Sequence, residues 1–413
     1  MPFQPYFFRA LQSRNFRIYW LGMSVSQVGN WVQQIAVGWV AYRLTESAGA
    51  LGFLSLCNNL GVLMLAPFAG VWADKVDKRK FLYLTQALFL LEALILALLS
   101  ATGSLQFWHL VALSLIVSIV AAFDMPLRQT LIAELVNEKS LLANAVVLNA
   151  FSFNLSRIVG PAIGGYLLAS VSESACFALN AFSFLMILIS LFCLRWSSQP
   201  QLLPTDKQDF LENLHDGIQY ACRFLPISAL LLTLLMSGLT LAPFSTLVPA
   251  IVRQLYDGDS VIVGNIYGGF GFGAIVAVGY LACHQSIKGL EKLIFAAILS
   301  ASVGLIALSG THTYWVGLAL SPILGAGIIT NLVACNSLLQ VLVADDKRGR
   351  VMSLFVMVSV GVYPLGALGI GLISGYIGLR YTMLLAGGVG VLTALIYYDY
   401  LPHIRAALIS NTL

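Results

Sequence analysis

The chain has 413 residues, of which 59% are apolar and only 10% charged, with a net charge of +4. Soluble domains carry about 25% charged residues, so this depletion excludes a water-soluble globular protein and predicts an all-α integral membrane chain. The small positive surplus fits orientation in a bilayer and gives no reason to expect a nucleic-acid partner.

In chain order, the opening MPFQPYFFRALQSR lacks the basic start, short apolar core and cleavage site of a secretory leader. A bilayer crossing needs roughly 20 apolar residues. Segments 16–41, 49–73, 81–102, 106–126, 142–170 and 174–194, then 225–252, 260–283, 290–310, 313–343, 351–376 and 380–401, meet that need. They predict twelve transmembrane helices in two six-helix bundles, 1–196 and 225–413. The polar stretch 197–224 is the cytoplasmic linker between them. With the N-terminus inside, 18 of the 22 Lys and Arg fall in cytoplasmic segments and three outside (Arg43, Arg253, Arg380); Arg157 lies within a span. The positive-inside bias places both termini in the cytoplasm.

Polar residues inside spans mark surfaces turned away from lipid, because unpaired polar groups in hydrocarbon are costly. Span one carries Gln27, Asn30 and Gln34 at helical spacing, beside Ser26, Trp31 and Gln33. Span three holds Glu92, deep among LFLLEALILAL, which is either a candidate for proton coupling or simply bonded to a neighbouring helix. Span five reads FNLSRIVGPAIGGYLL, with Arg157 near mid-membrane and Pro161 inside the helix. An arginine at that depth costs roughly 2.5–3.5 kcal/mol. It therefore faces protein, water or an anion, with a substrate role and a structural role about equally supported. Gly160 and Gly164 form a small-xxx-small face for close helix packing. Span seven carries Thr233, Ser237 and Thr240, followed by Pro243 and Phe244; span ten carries Thr330, Asn331, Asn336, Ser337 and Gln340. The glycines of IYGGFGFG (266–273) sit inside a span and serve close packing rather than phosphate binding. No GxxxxGK[ST] is present, so no nucleotide cofactor is expected. The six cysteines and five histidines are scattered without ligand spacing, so no metal or disulfide is expected. No nucleophile–base set points to an enzyme.

The loop GVWADKVDKRK, from Gly70 to Lys80, resembles the cytoplasmic signature of the major facilitator superfamily. Gly70, Asp74, Lys75, Lys78 and Arg79 match that signature, and Asp77 stands where the family usually has Gly. FDMPLRQTLIAELV (123–136) and VADDKRGRVMSLF (343–355), with RNFRIYW, resemble the enterobactin-exporter-like branch of bacterial efflux proteins. Gly160, Pro161, Gly164 and Gly165 resemble the fifth-span motif found mostly in exporters. The resemblance implies a monomeric secondary transporter of the bacterial inner membrane, working by alternating access. It implies a cavity lined by spans one, four, seven and ten, and a bent span five at the boundary of the bundles. It further implies a cytoplasmic gate of Gly70, Asp74, Lys78, Arg79, Asp124 and Arg128, with Lys78 paired to an acid ending span four, identified as Asp124. Span three is placed at the periphery. Substrate candidates are Gln27, Asn30, Gln34, Arg157, Ser237, Thr240, Asn331, Asn336 and Gln340. The expected function is proton-coupled export of a small amphiphilic or anionic compound, such as a siderophore or drug-like molecule. Siderophore uptake, lysophospholipid flipping and a non-transporting receptor are the alternatives.

Overall fold

In a bilayer, backbone N–H and C=O groups find no water, so a chain this apolar must form helices or a closed barrel. The computed structural model describes residues 6–73, 76–136, 138, 141–196, 210–283, 287, 289–344 and 347–412, and among them there is no strand. A 3₁₀ turn, Tyr6–Gln12, leads into α1 (Arg14–Thr45), α2 (Ala48–Ala73), α3 (Lys78–Ala101), α4 (Phe107–Leu135), α5 (Leu142–Ser170) and α6 (Glu173–Phe192). Then follow α7 (Phe210–Arg223), α8 (Leu225–Thr240), α9 (Phe244–Tyr256), α10 (Ser260–Cys283), α11 (Leu290–Gly310) and α12 (Tyr314–Leu342). The chain continues through α13 (Arg348–Val356), a π-helical turn Met357–Gly361, α14 (Val362–Ile377) and α15 (Leu379–Thr412).

Eleven helical stretches among the described residues are long and apolar enough to cross a membrane, counting α8 with α9 and α13 with α14 as one stretch each. Helix α1 has 32 residues and is long enough, but its glutamines and asparagine dilute its apolar character. The polar stretch 197–224 is not structureless: its second half forms α7, while 197–209 lie outside the described residues. Arg350 of α13 pairs with Asp216 of α7 at 2.7 Å.

The chain forms two compact units, Met1–Thr45 with Cys57–Thr205, and Glu46–Leu56 with Asp206–Leu413. In the first, α1 packs against α5 and α6, and α3 against α6. Small residues allow this: a methyl group added at Gly22 or Gly29 of α1 would overlap Ser190 or Ser183 of α6. The core is built on Phe16, Leu82, Phe89, Leu127, Leu148 and Phe184. In the second unit α10 and α12 lie backbone to backbone. A methyl at Gly273 would overlap the Pro322 carbonyl, and one at Gly325 that of Phe270. The glycine run of α10 thus serves helix packing, as its position in a span predicts. The start of α2 belongs to this unit, with Gly52 seated against Ala367 and Leu368 of α14.

Candidate functional site

Helix α1 presents two polar faces. Asn30 and Gln34 are exposed, whereas Gln27 is buried and its Oε1 finds no hydrogen-bond partner. Gln33 turns the other way, into the bundle. Its Nε2 donates to Glu92 Oε1 at 3.0 Å and Oε2 at 2.9 Å. Asn180 Nδ2 of α6 donates to Gln33 Oε1 at 2.8 Å, and Ser183 Oγ donates to Asn180 Oδ1 at 3.0 Å. Glu92 is 6% exposed and Asn180 fully buried. The chain of bonds therefore joins α3, α1 and α6, and the carboxyl group meets a neutral amide rather than a cation. The sequence signals both Glu92 and Gln33, but Asn180 is far away in the chain and was not singled out.

Buried Asp124 pairs with Arg128 one turn along α4. It also accepts from Thr85 Oγ1 at 2.6 Å and Gln86 Nε2 at 2.8 Å on α3. Arg128 in turn donates to Gln86 Oε1 at 3.2 Å and Met23 Sδ at 3.0 Å. Asp124 is thus already engaged, and the expected pairing with Lys78 is corrected. Lys78 Nζ meets Glu134 Oε1 at 2.6 Å. The physical reason is that α4 does not stop where its apolar window ends near 126 but runs on to Leu135. Glu134, not Asp124, is the acid near its end. Arg79 lies over the rings of Tyr83 and Trp196, 5.9 and 5.7 Å from their centroids. Gly70 lies in the last turn of α2; Asp74 and Lys75 lie outside the described residues.

On α5, Arg157 is half-buried and its guanidinium stands 5.8 Å from the Trp31 ring centroid of α1. A cation over an indole face is attracted by the ring quadrupole, which stabilises an arginine in this setting. Gly160 and Gly164 lie directly on α1: a methyl at Gly160 would overlap Trp31 Cβ, and one at Gly164 would come 3.3 Å from Val32 Cα. Pro161 and Gly165 are buried beside them. The motif therefore brings α5 onto α1 and positions Arg157 against Trp31.

In the second unit Ser237 is buried and its Oγ has no partner, while Thr240 Oγ1 is spent on the Met236 carbonyl at 2.7 Å. Asn331 is buried and accepts from Cys335 Sγ at 3.3 Å. Asn336 and Gln340 bond each other at 3.0 Å, with Gln340 on the exposed face of α12. Sequence reading missed a hydroxyl cluster where α8 breaks. Pro243 has no N–H to continue α8, and α9 restarts beyond it. Thr246 of α9 bonds the Tyr363 hydroxyl of α14, and Tyr267 of α10 donates to the Ser245 carbonyl. Broken helices of this kind occur at transporter sites.

Membrane-length helices with polar side chains buried among them define a multi-pass membrane protein. The chain belongs to the transmembrane secretion effector family of the major facilitator superfamily, whose family model matches residues 7–412. It is similar to the staphyloferrin A transporter of Staphylococcus aureus, with 25% identity over 90% of this chain and 92% of that protein. It is also similar to macrolide efflux protein A of Streptococcus pyogenes, 23% identical over 92% of this chain and 94% of the relative. Among solved structures, an inward-facing, unoccupied bacterial homologue of the human lysosomal transporter Spinster shares the fold. Its TM-score is 0.74, with 13% identity and 98% of both chains covered.

Proposed function

We propose that this chain exports a small amphiphilic or anionic compound, siderophore- or drug-like, by proton-coupled alternating access across the bacterial inner membrane. The observation that carries the reading is Arg157, a half-buried cation held over Trp31 on the helix packed against α1. On α1 itself, Asn30 and Gln34 are exposed and Gln27 keeps an acceptor without a donor. Such a surface suits a ligand with acidic groups and hydrogen-bond donors. The relatives named for staphyloferrin A and for macrolide efflux support the substrate range. Ser237, Thr240, Asn336 and Gln340 supply the corresponding polar groups of the second unit. Asn331, buried against Cys335, is retained as a packing partner of that surface. The inner ends of α3 and α4, tied by Lys78–Glu134 and by the bonds of Thr85 and Gln86 to Asp124, are assigned to the cytoplasmic gate with Gly70, Asp74, Arg79 and Arg128. Glu92 is the assigned proton carrier.

The test is a thermal-shift screen of purified wild type beside Arg157→Ala, using a carboxylate siderophore, a macrolide and a lysophospholipid. A ligand that binds the folded state raises its apparent stability by mass action, about 2.7 kcal/mol at a hundredfold excess over Kd. The siderophore is expected to stabilise wild type and to lose that effect in the folded mutant. An equal response in both proteins removes Arg157 from the site, and a response to lysophospholipid alone replaces export with lipid flipping.

A further inference from the structure

We propose that Glu92, Gln33, Asn180 and Ser183 form a proton-operated amide relay, in which a proton taken up by Glu92 reverses two side-chain amides and is read at the seam between α1 and α6. The proposal deepens the proton-coupling reading, on which it rests for its purpose but not for its chemistry.

The bonds as they stand all run one way. Ser183 donates to Asn180, Asn180 to Gln33, and Gln33 to both oxygens of Glu92. An ionised carboxylate only accepts, so this direction is the one it requires. A proton added to a carboxyl oxygen makes that oxygen a donor, and the Gln33 NH₂ in front of it cannot accept. Gln33 meets that donor by turning its Oε1 toward Glu92 and its Nε2 toward Asn180. Asn180 must turn in sequence, offering Oδ1 to Gln33 and Nδ2 to Ser183. Ser183 Oγ can accept that bond because its own proton has a second acceptor, the Asn180 carbonyl at 2.8 Å. Each link between neighbouring side chains keeps one donor and one acceptor in both directions, and the second Glu92 oxygen gives up its Gln33 donor on reversal. The relay therefore has two bonding directions, one for each charge of Glu92.

Among the described residues, α1 meets Glu92 with the neutral Gln33, and α6 reaches it through the neutral Asn180 and Ser183. No ion pair joins it to a charged side chain of α4 or of α3 itself among the described residues. Among the charges these helices carry toward their ends, Arg43 pairs with Glu173, Lys78 with Glu134 and Asp124 with Arg128. A carboxylate without a cation is expensive in a membrane span, so the amide chain is what accommodates either form.

The readout is steric. Gly29 of α1 is seated on this chain: a methyl there would overlap Ser183 Oγ and come 2.7 Å from Asn180 Oδ1. Reversal of Asn180 puts an NH₂ with two hydrogens where a bare oxygen stood, and so loads the α1–α6 seam. The same helix carries the exposed Asn30 and Gln34. Gln33 and Asn180 are thus positioning residues that pass a protonation event to α1 without touching a substrate.

The test is infrared difference spectroscopy of the full chain in lipid nanodiscs, stepped from alkaline to acid pH with no substrate. Wild type is expected to gain a protonated-carboxyl stretch together with shifted side-chain amide bands. Glu92→Gln is expected to lose both. Gln33→Met is expected to keep the carboxyl band, shifted, and to lose the amide bands. Should Glu92→Gln fail to elute as a folded species, Gln33→Met decides the matter alone. A carboxyl band untouched by Glu92→Gln, or one that persists with unchanged amide bands, overturns the relay. Proteoliposome transport separates the two readings. An intact relay without proton-driven transport removes the coupling and leaves the relay. Proton-driven transport with no Glu92 band removes the relay and leaves the coupling.

Discussion

At the scale of single residues, the glycines make the most direct claims on stability. Gly160 and Gly164 both face α1, but the space left for a side chain differs. A methyl at Gly160 would overlap Trp31 Cβ, whereas at Gly164 the nearest atoms stand at 3.3 Å; Gly268, on α10, has nothing within 4 Å. Overpacking costs about 1–3 kcal/mol. Substitution by alanine is therefore expected to lower the melting temperature in detergent most for Gly160, less for Gly164, and not at all for Gly268. Gly160→Ala has a second expected effect, because Trp31 supports the Arg157 guanidinium. Ligand response should fall in that mutant even where the protein still folds. An equal melting temperature for all three variants would show that α5 and α1 are not in close contact.

At the scale of helices, the start of α3 and the end of α4 are tied in two ways that differ in weight. Asp124 is buried, Arg128 is partly buried, and the two share their bonds with Thr85 and Gln86, whereas the Glu134 side chain is 45% exposed beside Lys78. Breaking a buried pair strands a charge at a cost of about 3–5 kcal/mol, while an exposed pair contributes about 0–1 kcal/mol. Asp124→Asn should therefore unfold at markedly lower temperature than wild type, and Glu134→Gln should melt almost unchanged. Comparable shifts in the two variants would contradict the burial. The same helices show what a sequence can carry. The apolar windows located the membrane-crossing segments, because a 20-residue requirement leaves little choice in lipid. They did not reveal that α4 continues past Pro126 to Leu135, since that extension leaves the apolar window and its helicity has no hydropathy signal. Glu134 was overlooked for that reason. Likewise Glu92 and Gln33 were visible as polar groups in apolar spans, but their junction with Asn180 depends on how α1 settles on α6. The break between α8 and α9 was marked by Pro243, yet its hydroxyl cluster draws on α10 and α14, far away in sequence.

At the scale of the whole molecule, the distribution of charge makes a sidedness claim that the native cysteines can test. Cys193, Cys222 and Cys283 are exposed, whereas Cys57, Cys176 and Cys335 are buried. Counting crossings from a cytoplasmic N-terminus, Cys193 follows the sixth, Cys222 lies in the polar stretch before the seventh, and Cys283 ends the eighth. All three then belong to the side that holds 18 of the 22 basic residues. Accessible thiols react as thiolates and buried apolar ones are inert. A membrane-impermeant maleimide should therefore leave intact cells unlabelled at this protein and label it in inverted vesicles. Replacement of Cys193, Cys222 and Cys283 by serine should abolish the vesicle signal. Labelling of Cys193 or Cys283 from outside intact cells would place those helix ends on the opposite face and invert the topology. The experiment bears on export as well, because the proposed gate region of Lys78, Arg79 and Glu134 must share the cytoplasmic face with these cysteines. If the thiols are reached from inside while Lys78 is modified from outside, the α2–α3 loop cannot be the cytoplasmic gate.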